Sequence, residues 1–192
     1  TSVVTVQGGQ ELHGAAFRVM PDRIVTATYP CAAAAAGGAA FLRDARAEHL
    51  SAVTTVLREA GCTVTDDAAG IRCVCRERLR CVRPVRTAPY PGFPTDAQAV
   101  LMAALLRSRG VTLFEENLFE SRYRHVDELT RMGADIQVSG RVAVVSGVET
   151  LSGAPVSCTD LRGGAALCIA ALGAVGETVV SNTAHIDRGY AD

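Results

Sequence analysis

The sequence contains no tryptophan and no lysine. Because lysine is missing, all 19 of its Lys/Arg-type basic residues are arginine. The arginine side chain suits bidentate recognition of phosphate and carboxylate, although a coding bias would produce the same composition. With a formal net charge of −1, the chain lacks the basic excess that is typical of proteins binding nucleic acid or anionic membranes. We therefore expect neither nucleic acid nor a membrane as a partner.

Signals for membrane insertion and export are also missing from the sequence. No apolar run is long enough to cross a bilayer. No segment combines a basic start, an apolar core and a cleavage site, as a secretory leader would require. These absences favour a cytoplasmic location.

Cysteine is present, but not in a pattern that indicates metal binding or disulfides. No C-x-x-C motif occurs, and Cys73-Val-Cys75 has no paired histidines to complete a zinc site. An odd number of cysteines on strand-like and helix-like segments is typical of buried thiols in a reducing compartment. We expect no metal, no cofactor and no catalytic cysteine. The seven residues are Cys31, Cys62, Cys73, Cys75, Cys81, Cys158 and Cys168.

A proline-rich loop that turns abruptly into a helix is the most informative stretch of the chain. Three prolines and a glycine between residues 87 and 94 exclude helix there. Apolar residues at helical spacing then predict a helix over residues 96–107. Thr95 and Gln98 match a capping box. Asp96 would lie in the first turn, where it either complements the helix dipole or serves as a base or ligand contact.

One order of elements occurs twice in the sequence. A strand is predicted at 1–12, before the first unit. The first unit is predicted to contain strand 16–20, helix 28–37, strand 39–43, helix 48–60 and a hairpin of 62–65 with 71–75. The second is predicted to contain strand 81–86, helix 96–107, strand 111–115, helix 123–132 and a hairpin of 134–138 with 141–145. Gly38 and Gly110 are 72 positions apart, as are Gly61 and Gly133. A fixed offset of this kind indicates a duplicated unit.

A third unit begins but does not finish within the sequence. It is predicted to contain strand 155–158, helix 161–175, strand 177–181 and the start of a helix at 188–192. Each unit therefore has the order β-α-β-α-β-β, which predicts an α/β (α+β) fold in one domain over residues 1–192. The repeats span about 13–77, 81–147 and 148–192, the last of them truncated. We expect the chain to be a fragment of a longer protein.

Five short sequence motifs resemble those of the UDP-N-acetylglucosamine 1-carboxyvinyltransferase family of enolpyruvyl transferases. The resemblance extends in order over nearly the whole chain. The motifs are M-P-D-R at 20–23, P-Y-P-G-F-P-T-D-A-Q at 89–98, L-F-E-S-R-Y-R-H-V at 118–126, L-S-G-A-P-V-S-C-T-D-L-R at 151–162 and H-I-D-R-G-Y at 185–190.

The resemblance implies both a fold and a reaction. Enolpyruvyl transferases have two domains of three repeats, each an inside-out α/β barrel with its helices gathered inside. This chain resembles one of them, and the other domain, which carries a mobile loop with a reactive cysteine, is absent. The family transfers the enolpyruvyl group of phosphoenolpyruvate to the 3-hydroxyl of UDP-N-acetylglucosamine, the first committed step of peptidoglycan synthesis. Both molecules are therefore expected partners, together with the missing second domain.

Site residues follow from the resemblance, position by position. Asp96 matches the carboxylate at the sugar hydroxyl, as a base or only as a ligand contact, and Arg188 matches an arginine at the phosphoenolpyruvate end. Leu118 matches a contact to the UDP-sugar, with Phe119 and Glu120 beside it. Further substrate-binding candidates at loop-to-helix joints are Asp22, Arg23, Asp160 and Arg162.

Each of these residues also has a purely structural alternative. Asp160 would serve equally well as a helix cap, and Arg23 and Arg162 as members of structural ion pairs. Arg188 could be solvated or paired with Asp187. His125 and His185 could act as acid–base groups, but a lone histidine is more often structural. No metal ligand is predicted. The predicted site residues are Asp22, Arg23, Asp96, Leu118, Phe119, Glu120, Asp160, Arg162 and Arg188.

The sequence departs from the family pattern in two places. Ser121-Arg122-Tyr123 stands where N-R-F is usual, and Gly163-Gly164 replaces a pair of small residues with side chains. Two glycines early in a helix either permit a close backbone approach or accompany a different sugar-nucleotide specificity. Two other functions remain open. One is the related transfer to 3-phosphoshikimate, and the other is a non-catalytic ligand-binding module of the same fold.

Overall fold

The computed structural model describes residues 3–9 and 11–190, and these residues form both helices and strands. In order they are α1 (Arg23–Ala36), β1 (Ala39–Arg43), a 3-10 helix (Ala47–Leu50), α2 (Ser51–Ala60), β2 (Thr63–Asp67), β3 (Gly70–Val74), β4 (Val85–Arg86), α3 (Thr95–Leu105), β5 (Val111–Glu115), α4 (Val126–Arg131), β6 (Asp135–Ser139), β7 (Val142–Ser146), β8 (Leu151–Ser152), β9 (Pro155–Ser157), α5 (Leu161–Leu172), β10 (Ala174–Val175), β11 (Val179–Ser181) and α6 (Ala184–Asp187).

Two sheets follow the duplicated pattern closely. The first has the order β1-β3-β2 and the second β4-β5-β7-β6. Adding 72 to the bounds of β1, β2 and β3 gives the bounds of β5, β6 and β7. The pairing registers agree as well, since Arg43 lies opposite Gly70 and Glu115 lies opposite Val142. The 72-residue offset seen in the sequence is therefore an offset of three-dimensional structure.

Helices α1, α3 and α5 pack against one another at the centre of the fold. The C-terminal ends of α3 and α5 meet where Arg107 donates to the carbonyl oxygen of Gly173 over 2.9 Å. Their N-terminal ends meet through Asp96 and Arg162. These two helices therefore run in the same direction, and α3 is buried on almost every face. Most residues of α5 are buried as well, although Cys168 and Leu172 are exposed.

Several boundaries differ from the sequence-based expectation for local reasons. Helix α1 begins at Arg23 rather than residue 28, because the side chain of Asp22 accepts hydrogen bonds from the backbone N–H groups of Ile24 and Val25. The predicted helix 48–60 starts as a 3-10 helix and becomes an α-helix only at Ser51. The hairpins of both units were predicted correctly to within a residue or two.

The two strands predicted before residue 21 are wrong for the described residues. Residues 3–9 and 11–20 form no strand, and their apolar side chains are exposed. Residues 1, 2 and 10, which belong to the first prediction, lie outside the described part. An extended segment gains little stability unless another strand pairs with it, and no described strand pairs with these residues.

The third unit also differs from its prediction at the end of the chain. Strands β8 and β9 pair in parallel with β10 and β11. A short helix, α6, covers Ala184–Asp187 and thus ends before the predicted helix start at 188, while residues 191 and 192 lie outside the described part. Among the described residues, no helix has the length and apolarity that a bilayer crossing would need.

Candidate active site

Asp96 lies in the first turn of α3, where the proline-rich loop enters the helix. The predicted capping box is wrong, because Thr95 is already a helical residue and no side chain caps the helix start. The hydroxyl of Thr95 instead donates to Glu116, and the buried side chain of Gln98 has no hydrogen-bond partner within the described residues. A carboxylate is a stronger acceptor than a neutral group, which favours this arrangement.

Two arginines converge on one oxygen of Asp96. Nη2 of Arg122 lies 2.9 Å from Oδ1 of Asp96, and Nε of Arg162 lies 3.3 Å from the same atom. The Asp96 side chain is 35% exposed, and the two arginines are 23% and 19% exposed. Two partly desolvated guanidinium groups beside one carboxylate leave a net positive charge that suits a phosphate or carboxylate ligand.

The second oxygen of Asp96 remains available to a ligand. Within residues 3–9 and 11–190, the ion pairs of Asp96 all use Oδ1. The guanidinium carbon of Arg122 also lies 5.3 Å from the centre of the Phe119 ring, a cation–π distance that restrains the arginine. The site therefore presents an accessible carboxylate oxygen next to restrained cations.

Asp160 is the N-cap of α5. Its Oδ1 accepts hydrogen bonds of 2.9 Å from the backbone N–H groups of both Arg162 and Gly163. The structural alternative for Asp160 is thus realised, and the cap fixes the turn that carries Arg162. A ligand role for Asp160 stays a prediction.

The loop after β5 carries two predicted contacts, Leu118 and Phe119, and both side chains are exposed. Their backbone N–H groups donate to the carboxylate of Glu116. A ligand that approaches Leu118 therefore meets its carbonyl oxygen or its side chain, because its N–H group is already engaged.

Four predicted site residues are not joined to this cluster. Among the described residues, no hydrogen bond or ion pair links Asp96 to Asp22, Arg23, Glu120 or Arg188. Asp22 caps α1, and Glu120 lies 3.9 Å from Arg141. Arg23 and Arg188 are exposed. Their substrate-binding roles stay predictions.

Arg122 and Glu116 were both missed by the sequence-based reasoning. Arg122 belongs to the motif L-F-E-S-R-Y that carried the resemblance, so it could have been predicted from the sequence. Glu116 directly follows β5, and β5 pairs in parallel with β4, which ends just before Thr87. That pairing places Thr87 beside Glu116, but it could not be read without the strand register.

His125 is buried behind the site. Neither ring nitrogen has a hydrogen-bond partner in the described part of the chain. The pKa of His125 is lowered to about 4, chiefly by burial; Asp160 opposes the shift, and the charge of Arg122 contributes to it. His125 is therefore neutral at physiological pH. Burial and the nearby charge of Glu116 raise the pKa of Tyr123 to about 12, so its hydroxyl stays protonated.

Comparison with known proteins agrees with this fold. The family model for EPSP synthase (3-phosphoshikimate 1-carboxyvinyltransferase) matches residues 1–192. The chain therefore belongs to this family of enolpyruvyl transferases.

Curated relatives are named more narrowly within the family. The UDP-N-acetylglucosamine 1-carboxyvinyltransferase of Sphingopyxis alaskensis is 50% identical over 99% of this chain and 44% of the relative. The protein of the same name from Granulibacter bethesdensis is 48% identical over 99% of this chain and 45% of its own length. The chain thus spans less than half the length of these relatives. The resemblance seen in the five sequence motifs is confirmed.

Solved structures agree with the predicted fold class. The enolpyruvyl transferase NikO from Streptomyces tendae aligns with a TM-score of 0.78 and 26% identity, over 90% of this chain and 41% of that protein. An EPSP synthase from Acinetobacter baumannii aligns with a TM-score of 0.62 and 19% identity, over 85% of this chain and 39% of that protein, which supports the fold alone. The α/β fold of the enolpyruvyl transferases is confirmed.

Proposed function

We propose that the protein containing this chain transfers the enolpyruvyl group of phosphoenolpyruvate to the 3-hydroxyl of UDP-N-acetylglucosamine and releases phosphate. The observation that carries the proposal is the carboxylate of Asp96, held between Arg122 and Arg162 with Oδ2 left accessible. The reaction needs a base for the sugar hydroxyl and cations for the phosphate and carboxylate of phosphoenolpyruvate. The cluster offers both kinds of group within one contact distance.

In this proposal Asp96 contacts the sugar hydroxyl and accepts its proton. Arg122 and Arg162 orient Asp96 and face the negative charges of phosphoenolpyruvate. Leu118 contacts the UDP-sugar through its carbonyl oxygen, since its N–H group is bonded to Glu116. The remaining substrate-binding candidates are Asp22, Arg23, Phe119, Glu120, Asp160 and Arg188.

The wider assignments follow from the reaction. The product would enter peptidoglycan synthesis in the cytoplasm, and through it cell-wall biogenesis, cell shape and cell division. The relatives are more than twice as long as this chain. We therefore propose that a second domain completes the site and contributes further phosphate contacts. Residues 1–192 would form one domain with repeats at about 13–77, 81–147 and 148–192.

The alternative acceptor is 3-phosphoshikimate, which is named in the description of the matching family model. The names of the relatives at 48–50% identity favour the nucleotide sugar. A non-catalytic ligand-binding module of the same fold is a further alternative, and only turnover distinguishes it from an enzyme.

The test uses the complete gene product that carries this chain. Phosphate release is measured with phosphoenolpyruvate and either UDP-N-acetylglucosamine or 3-phosphoshikimate. In the complete gene product, we expect phosphate release when UDP-N-acetylglucosamine is the acceptor and not when 3-phosphoshikimate is. We expect no release from the 192-residue chain assayed by itself, because it spans less than half the length of its relatives. Release with 3-phosphoshikimate alone would assign the other acceptor. Release with neither, from a folded protein, would favour the binding module.

A further inference from the structure

Glu116 is a carboxylate buried at the junction of three segments. Its side chain is 1% exposed and follows β5 directly. Oε1 accepts hydrogen bonds from the hydroxyl of Thr87 at 2.9 Å and from the backbone N–H groups of Leu118 at 2.9 Å and Phe119 at 3.1 Å. Oε2 accepts from the hydroxyl of Thr95 at 2.8 Å. An isolated buried carboxylate is strongly unfavourable, and four donors offset that cost.

The four donors belong to different parts of the site. Thr87 opens the proline-rich loop, Thr95 begins α3, and Leu118 with Phe119 forms the loop after β5. The hydroxyl of Thr87 additionally accepts from the N–H group of Asn117 over 2.8 Å. Glu116 therefore fixes the two loops and the helix start relative to one another.

These contacts form a closed circuit through the candidate catalytic residue. Glu116 binds Thr95, whose neighbour Asp96 pairs with Arg122. The guanidinium of Arg122 lies over the ring of Phe119, and the N–H group of Phe119 returns to Glu116. A displacement of Glu116 would therefore move Asp96 and the Leu118–Phe119 loop together.

The fold does not require this arrangement in its other copy. Subtracting 72 from 116 gives Asp44, which follows β1 as Glu116 follows β5. The side chain of Asp44 is 78% exposed and lies 3.9 Å from Arg18. The same strand end thus folds with a solvated carboxylate, so burial of Glu116 serves something beyond the sheet.

We propose that Glu116 is a positioning residue that sets the distance between the Asp96 carboxylate and the Leu118 carbonyl oxygen. A nucleotide sugar would bridge these two groups, with its reacting hydroxyl at Asp96 and another polar group at Leu118. The inference rests on the proposed function for its effect on turnover. The hydrogen-bond junction itself can be tested without turnover.

The experiment compares isosteric variants in the complete gene product. Thr95→Val removes the hydroxyl that ties α3 to Glu116, and Thr95→Ser restores it. Glu116→Gln keeps the shape and one carbonyl oxygen but loses the charge. Thr112→Val is the matched control, because it removes a buried hydroxyl on β5 that binds Val82 instead of the site.

Kinetics and amide exchange are measured on each variant. We expect Thr95→Val and Glu116→Gln to lower kcat/KM by about 10- to 100-fold, since small misplacements of reacting groups have effects of this order. Both kcat and the KM for UDP-N-acetylglucosamine should change. Thr95→Ser should lie within about 3-fold of the wild type, as should Thr112→Val. In Glu116→Gln, exchange at the Leu118 and Phe119 amides should accelerate, because a neutral acceptor binds them less strongly.

Two results would overturn the inference. One is unchanged kcat/KM in Thr95→Val with a wild-type level in Thr112→Val. The other is slow, unaltered exchange of the Leu118 and Phe119 amides in Glu116→Gln. An inactive wild-type protein would refute the proposed function alone, and the amide exchange would then decide whether Glu116 holds the loop.

Discussion

Arg162, in the first turn of α5, donates from Nε to Oδ1 of Asp96, in the first turn of α3, over 3.3 Å. The two residues are 66 positions apart in the sequence, and their contact joins the starts of two central helices. Arg122 adds a second guanidinium to the same oxygen. The orientation of Asp96 is therefore determined from two sides, which is what a positioned base requires.

Replacing Asp96 with asparagine separates its two possible roles. Asp96→Asn keeps the shape but removes the charge beside the helix dipole, which should lower the free energy of unfolding by about 0.3–1 kcal/mol, and it weakens the pairs with Arg122 and Arg162. An amide cannot accept the hydroxyl proton, so kcat should fall by about 10²- to 10⁴-fold. Both quantities are measured on the same variant of the complete gene product.

Asp127→Asn is the matched control for this substitution, because Asp127 is an exposed acid in the first turn of α4. It should reproduce the part of the stability loss that comes from the helix dipole, without a loss of turnover. Near-normal turnover in Asp96→Asn would show that Asp96 has a structural role alone.

Replacing either paired arginine with lysine tests the geometry of the cationic pair. Arg122→Lys and Arg162→Lys keep the charge but lose the planar fork that binds carboxylate and phosphate in two places. We expect the KM for phosphoenolpyruvate to rise by about 10-fold or more, in line with the strength of charge-assisted bonds. Steady-state kinetics with each substrate varied in turn measure this effect.

Arg131→Lys serves as the control for the arginine variants, because Arg131 is an exposed residue that pairs with Glu128. Its KM values should match the wild type. An equal rise of KM for both substrates in Arg122→Lys would argue against a specific contact with phosphoenolpyruvate.

The buried His125 predicts a particular loss of stability in acid. Its pKa is about 4 in the folded protein and 6.5 ordinarily, so between these values the unfolded chain binds the extra proton. Stability must therefore fall as the pH falls through this window. Between pH 7 and pH 5, His125 should account for about 2 kcal/mol of the decrease.

Urea unfolding at both pH values checks this prediction. His125→Val should remove about 2 kcal/mol of the pH dependence, whatever its effect at pH 7. His13→Gln replaces an exposed histidine and should leave the dependence unchanged. An identical pH dependence in wild type and His125→Val would mean that His125 titrates normally.

Gly164 permits a close approach of α5 to its neighbours. A Cβ atom at this position would lie 2.8 Å from Cγ1 of Ile186 and 2.9 Å from Sγ of Cys158. Gly164→Ala would gain about 1 kcal/mol in helix propensity, but overpacking typically costs about 1–3 kcal/mol. We expect a lower melting temperature. Gly38→Ala has space for the methyl group and should be nearly neutral. A raised melting temperature in Gly164→Ala would contradict this prediction.

The regular part of the fold was predictable because it repeats a clear pattern. Apolar spacing and glycine positions located the central helices, and the 72-residue offset predicted matching hairpins. The strands before residue 21 were not recognisable as unpaired, because alternation of apolar residues does not reveal whether another strand is available. The boundaries of the three repeats stay a prediction.

The site was predictable only in part. Asp96 and Arg162 were found from motif resemblance, while their direct contact depends on the packing of α3 against α5. The role of Thr95 was misread, since a local capping pattern competes with a carboxylate that arrives from another strand. Glu116 lies 20 positions after Asp96 and belongs to no local motif, so only the strand register could have revealed it.

Because the two sheets match at a fixed offset of 72 residues, each position of the second unit can be compared with its counterpart in the first. Position 53 corresponds to position 125, and the first copy has the buried Val53 where the second has the buried His125. Position 44 corresponds to position 116, where a solvated aspartate stands in place of the buried Glu116. One scaffold thus occurs in the same chain with and without the polar groups of the site. The first unit therefore indicates which positions of the second unit can change without loss of the fold.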